Sequence, residues 1–109
     1  IGTYLSKEIN SDMVSTEDSA FDSTLKESEE TIEKLLSNQG NRTVESLHKE
    51  LGLIMWNNCG MSRNQEDLDK ALKEVDELKK TFWSDVKVPG KSDSINKELE
   101  KAWRVSDYI

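Results

Sequence analysis

The stretch "NQEDLDKALKEVDELKKTFW", residues 64–83, decides the fold. At 100° per residue, Leu68, Ala71, Leu72, Val75, Leu78 and Phe82 form one apolar stripe ending at Trp83, and charged residues fill the remaining circumference. Asn64 before it, with Asp67 three residues on, is a helix-start signal, because a short side chain there accepts a hydrogen bond from an otherwise unpaired backbone N–H. Glu66 with Lys70, Asp69 with Lys73, and Asp76 with Lys80 place acid four residues before base, each pair worth about 0.2–0.5 kcal/mol. The expectation is an amphipathic helix over 65–83 with one face against a core and the other in water.

The neighbouring segments read the same way. Glycines at 40, 60 and 90, the last preceded by Pro89, divide the chain into helical blocks, and no strand pattern is evident. Over 16–38, Phe21, Leu25, Ile32, Leu35 and Leu36 share a face, with Gly40 expected to close the helix in a left-handed cap. Over 43–58, Val44, Leu47, Leu51, Ile54 and Met55 form the stripe and Gly60 supplies the stop. Ser92 or Asp93 is expected to start a helix over 93–106 through Ile95, Leu99, Ala102 and Val105. Tyr4, Leu5 and Ile9 suit one or two helical turns, followed by a polar connector through Asn10, Ser11 and Asp12. Long helices joined by short turns pack most simply as an all-α, up-and-down antiparallel three-helix bundle, here with a partial fourth helix at the C-terminus. On this reading the loss of Leu72 or Leu51 matters more than the loss of any surface pair.

With 109 residues, the chain suits one small domain. Its net charge of −7 lies almost wholly in residues 1–39, which hold nine acids against three bases. An acidic surface opposes binding to nucleic acid or anionic lipid, since neither polyanion is attracted to it. A single cysteine excludes an intrachain disulfide and favours a reducing compartment. No apolar run approaches the roughly 20 residues of a membrane span. Starting at Ile1 without a methionine and stopping at Ile109 within a periodic apolar stretch, the sequence reads as a piece of a longer protein.

No catalytic, cofactor or metal residue emerges. Cys59 has no second cysteine and no nearby base, and His48 lies eleven residues earlier, about 16 Å away along a helix. Cys59 therefore reads as a packing thiol at a helix end, His48 as a surface group, and acidic pairs such as Glu29 with Glu30 as a solvated face. One departure from simple amphipathicity stands out: Leu53 and Trp56 point away from the stripe of the second helix, which makes that helix apolar on two sides. Trp83 and Trp103 lie toward the edges of their stripes. They either join a second apolar surface that contacts a partner, or widen the bundle core.

The runs "LHKELGLIMWNNCGMSRNQEDLDKAL" (47–72), "FWSDVKVPG" (82–90) and "NKELEKAWRVSDYI" (96–109) resemble the helical domain near the C-terminus of fumarate reductase and succinate dehydrogenase flavoprotein subunits. The opening "IGTYLSKEI" is similar to the segment that leaves the preceding FAD-binding domain. The resemblance implies a spectrin-repeat-like three-helix domain over 16–109 and an exit segment over 1–15. It further implies a parent enzyme that interconverts succinate and fumarate with FAD, beside an iron-sulfur subunit and a membrane anchor. The parent complex would sit on the cytoplasmic side of the inner membrane. The flavin- and dicarboxylate-binding residues of that family fall in regions absent from this sequence, so the 109 residues alone are expected to be inactive. Arg63 matches a family position and is expected to serve near a helix start or a domain contact, which makes Leu53, Trp56, Arg63, Trp83 and Trp103 the candidate contact surface. A free-standing acidic three-helix interaction module and the equivalent domain of an L-aspartate oxidase are the alternatives.

Overall fold

Side-chain caps set most of the helix starts. In the computed structural model, which describes residues 1–9, 11 and 15–109, Asp18 accepts from the Ala20 N–H at 2.9 Å and opens α2 (Ser19–Ser37), a short helix α1 (Gly2–Glu8) having preceded it. Thr43 caps α3 (Val44–Asn58), and Asn64 accepts from the Asp67 N–H at 2.9 Å to open α4 (Gln65–Asp85). Asn96 caps α5 (Lys97–Tyr108) through the Leu99 N–H at 3.0 Å. The helices at 16–38, 43–58 and 65–83 are therefore present, shifted by up to three residues, and Asn10 and Asp12 of the expected connector lie outside the described residues.

The fold is an all-α bundle. Its centre is the antiparallel hairpin of α3 and α4, on which α5 packs, and the C-terminal half of α2 lies against α5. Leu35 of α2, Val44, Leu47, Leu51 and Ile54 of α3, Ala71, Leu78 and Phe82 of α4, and Ala102 and Val105 of α5 close the core, together with Val86 and Val88. One element had no periodic signal: β1 (Arg42–Thr43) pairs in parallel with β2 (Val86–Lys87), a main-chain clasp between the start of α3 and the end of α4. Two-residue strands are too short to leave an alternation in the sequence.

Several expectations are corrected. Gly40 is not a left-handed cap; among the described residues only Gly90 has a positive φ, at 99°. Gly40 is buried because its α-carbon lies against the Asp85 backbone, where a Cβ would overlap the carbonyl. The fourth helix starts at Asn96 rather than at Ser92 or Asp93, since the Asn96 amide also donates to the Pro89 and Lys91 carbonyls, at 3.0 and 3.3 Å, and gathers the loop around itself. Ile95, expected on that helix, is exposed ahead of it. Phe21 and Leu25 are exposed, because none of the described elements covers the first half of the α2 stripe.

Met55 and Leu72 also leave the expected core. Leu72 is 68% exposed, a full 100° step around α4 from buried Ala71, while Leu51 is buried on α3. Leu51→Ala is expected to cost about 2 kcal/mol, and Leu72→Ala in the 109-residue chain no more than about 0.5 kcal/mol. Urea unfolding midpoints check the difference, and equal losses would contradict it.

The radius of gyration, 18.9 Å, exceeds the roughly 13 Å of a compact chain of similar length. The molecule measures 49 × 40 × 19 Å.

Candidate domain-contact surface

The outward face of α3 follows from which residues its inward face uses. Val44, Leu47, Leu51, Ile54 and Asn58 are buried against the hairpin, so Leu53 and Trp56 stand on the far side of the helix. Trp56 is 82% exposed and Leu53 60%. Met61, fully exposed in the turn after α3, joins Trp56 and Gly60 around a shallow hollow of about 290 Å³. Tryptophan is enriched at interfaces, which makes an exposed indole with apolar neighbours a candidate contact surface. Arg63 belongs to the same end of the hairpin: it is exposed, and its Nε donates to the Gly60 carbonyl at 3.0 Å, pinning the turn that presents Trp56.

The two remaining candidates lie elsewhere. Trp83, at the other end of α4, is half-buried against the core, with its ring edge-on to Phe82 at 5.3 Å and the Lys34 ammonium over its face at 4.2 Å. Its carbonyl accepts from the Asn38 amide at 3.1 Å. Trp83 thus fastens α2 to α4. Trp103 is half-buried on α5, where its carbonyl accepts from the Ser106 hydroxyl at 2.6 Å. Leu53 and Trp56, three residues apart, thus share the exposed side of α3, with Arg63 fixing the turn beyond it, and the other two tryptophans stand apart.

The hairpin has two unlike edges. On one, Asn58 is buried and donates to the Glu74 carboxylate at 2.9 Å, and Lys70 reaches the same carboxylate group at 3.7 Å rather than pairing back with Glu66. On the other, Met55, Cys59, Leu68, Leu72 and Val75 line an apolar groove of about 500 Å³. Cys59 sits there half-buried at the end of α3, a free thiol packed against the core. The groove was not legible as a groove, because its lining residues read as part of the core stripes. The available signal was the width of those stripes, with Leu68 and Leu72 both displaced to one side of the line through Ala71, Leu78 and Phe82.

Some of the surface charge is paired. The Lys49 ammonium, hydrogen-bonded to the Glu45 carboxylate at 2.7 Å, lowers the Glu45 pKa, with Lys101 at 3.9 Å adding to the effect. Arg42 pairs with Glu50 at 2.7 Å and ties the clasp to α3. His48 is exposed and stacks on Tyr108, the ring centres 6.1 Å apart. Among the described residues no group of three or more His, Cys, Asp or Glu side chains is arranged to hold a metal ion. No described helix is long and apolar enough to cross a membrane.

Residues 48–109 match the family described as "Fumarate reductase flavoprotein C-term". The fumarate reductase flavoprotein subunit of Haemophilus influenzae is 31% identical over 68 residues, which is 62% of this chain and 11% of that protein. The subunits of the same description from Serratia sp. and Proteus vulgaris are 30% and 28% identical over 81 residues, 74% of this chain and 13% of each protein. No solved structure matches. The chain spans little more than a tenth of the length of these relatives. With more than half of its residues within the family match, this all-α chain belongs to the fumarate reductase flavoprotein C-terminal family.

Proposed function

We propose that the 109 residues are a non-catalytic helical domain that braces the FAD and dicarboxylate domains of a flavoprotein subunit interconverting succinate and fumarate. The observation that carries this reading is the solvent-facing Trp56 and Leu53 patch, held by the Arg63 hydrogen bond, on a chain of this family. The partner is the FAD-binding domain of the same parent chain, with residues 1–15 as the segment leading out of it. An iron-sulfur subunit and a membrane anchor complete the parent complex, which works at the cytoplasmic side of the inner membrane.

The physical role assigned to the patch is water exclusion. Trp56 and Leu53 lose apolar surface to water only when another domain covers them, so their burial adds to the stability of the assembled subunit and not to that of the bundle. Trp56→Ala is expected to leave the 109-residue chain within about 0.5 kcal/mol of its original stability. In the full-length subunit the same change is expected to weaken domain docking by about 2 kcal/mol, read as flavin release at lower temperature. Unchanged flavin release in the full-length variant would remove this face from the proposal. Flavin binding or donor-dependent fumarate reduction by the 109 residues alone would overturn the non-catalytic role.

A further inference from the structure

The stripe of α2 has a period that the bundle uses only in part. Phe21, Leu25, Ser28, Ile32 and Leu35 follow one another at spacings of four, three, four and three, the alternation of a coiled-coil seam. At its C-terminal end Leu35 is buried, and Ser28 and Ile32 are half-buried. At its N-terminal end Phe21 is 55% exposed and Leu25 59%. Beside Ile32 and Leu36 a hollow of about 620 Å³ opens between Glu29, Glu33 and Ser92. From Phe21 to Ile32 the seam runs about 16 Å, three turns of helix.

The two edges of the seam differ in a way that selects what covers it. On one edge, directly after Phe21 and Ser28, stand Asp22 and Glu29, the positions from which coiled coils form ion pairs between helices. Neither carboxylate meets a base among the described residues. Lys26, the one base between residues 18 and 33, lies on the outer side of the helix and pairs with Glu30 at 3.9 Å. On the other edge, directly before Leu25 and Ile32, Thr24 and Thr31 donate their hydroxyls to the Ala20 and Glu27 carbonyls at 2.8 and 2.9 Å, so these donors are satisfied within α2. An uncharged neighbour would leave both carboxylates unpaired at the seam, and a second copy would set them against threonine or against each other. A helix with Lys or Arg along its facing edge pairs both. We propose that the outer half of α2 is one helix of a short two-helix coiled coil, whose other member is a basic amphipathic helix of a second protein. This goes beyond the bracing role assigned to the Trp56 face.

The test is binding of a synthetic probe to the intact, flavin-loaded parent subunit, read by fluorescence anisotropy. The probe is a three-heptad peptide with Leu at both seam positions of each heptad and Lys on both flanking edges, compared with the same peptide carrying Glu in place of Lys. The Lys peptide is expected to bind and the Glu peptide not to. Phe21→Ser combined with Leu25→Ser removes the seam, and Asp22→Asn combined with Glu29→Gln removes its charge. Each pair is expected to weaken binding at least ~10-fold. All four side chains are exposed, so the urea midpoints of both variants are expected to match the wild type. Equal binding of the two peptides, no binding of the Lys peptide, or binding that either variant leaves unaltered overturns the proposal. Concentration-dependent pairing of the subunit with itself, lost in Leu25→Ser, would give the seam to a second copy and equally overturn it. Flavin absorbance of the same samples reports separately on the family-based function.

Discussion

Phe82→Ala is expected to destabilise the chain by about 3–5 kcal/mol, the largest effect of any single side-chain truncation considered. Phe82 is fully buried near the end of α4, where that helix, the clasp and α2 converge. Removing the ring deletes its own transfer free energy and leaves a cavity that rigid neighbours cannot fill. Trp83 then loses the edge-to-face support at 5.3 Å that orients its indole under Lys34. A loss of this size is a large share of the roughly 5–15 kcal/mol that stabilises an ordinary domain, so the variant is expected to be partly unfolded at 37 °C. Equilibrium urea unfolding measures it. A cost below about 1.5 kcal/mol, the range of a volume-conserving swap, would contradict the packing described.

Gly40→Ala is expected to cost about 3 kcal/mol although it adds only one methyl group. The new Cβ would overlap the carbonyl carbon and oxygen of Asp85, and both backbones are held in place. The Asp85 carboxylate accepts from the Asn41 N–H at 2.9 Å, and two residues beyond Gly40 the parallel pairing of Arg42 with Val86 begins. Overpacking against side chains is relieved by rotamer changes, typically for 1–3 kcal/mol; here relief requires opening the clasp, which sets the effect at the top of that range. The urea midpoint checks the stability, and hydrogen exchange at Thr43 and Lys87 checks that the clasp is what opens. A neutral Gly40→Ala would mean that the two segments do not meet as described.

The contrast between Gly40 and Asn64 shows what a sequence of this kind discloses. Asn64 was legible as a cap because both partners of its hydrogen bond lie within three residues. Gly40 is decided by Asp85, 45 residues away, and no local pattern carries that information. The start of α5 was misplaced for a related reason. Ser92, Asp93 and Asn96 are all acceptable caps by type, and the carbonyls of Pro89 and Lys91 select the last of them. Leu72 and Met55 were read as core because a stripe gives the direction of burial only when the position of the partner helix is known. Of the candidate surface, Trp56 and Leu53 were legible because they oppose the stripe, while Trp83 and Trp103, at stripe edges, could be placed only by three-dimensional packing.

The parallel pairing of Arg42–Thr43 with Val86–Lys87 has a consequence for the order of folding. It closes a loop whose whole content is the α3–α4 hairpin, and helical hairpins assemble from contacts close in sequence, which form fast. Closing the loop by free diffusion of a disordered chain of that length would carry the full loop-entropy penalty; closing it after the hairpin has formed carries much less. The two strands are therefore the last stitch of the hairpin and not its nucleus. Once made, that stitch joins α3 and α4 into one cooperative unit, against which α5 and the inner half of α2 dock, while α1 and the outer half of α2, with almost nothing buried, open and close on their own.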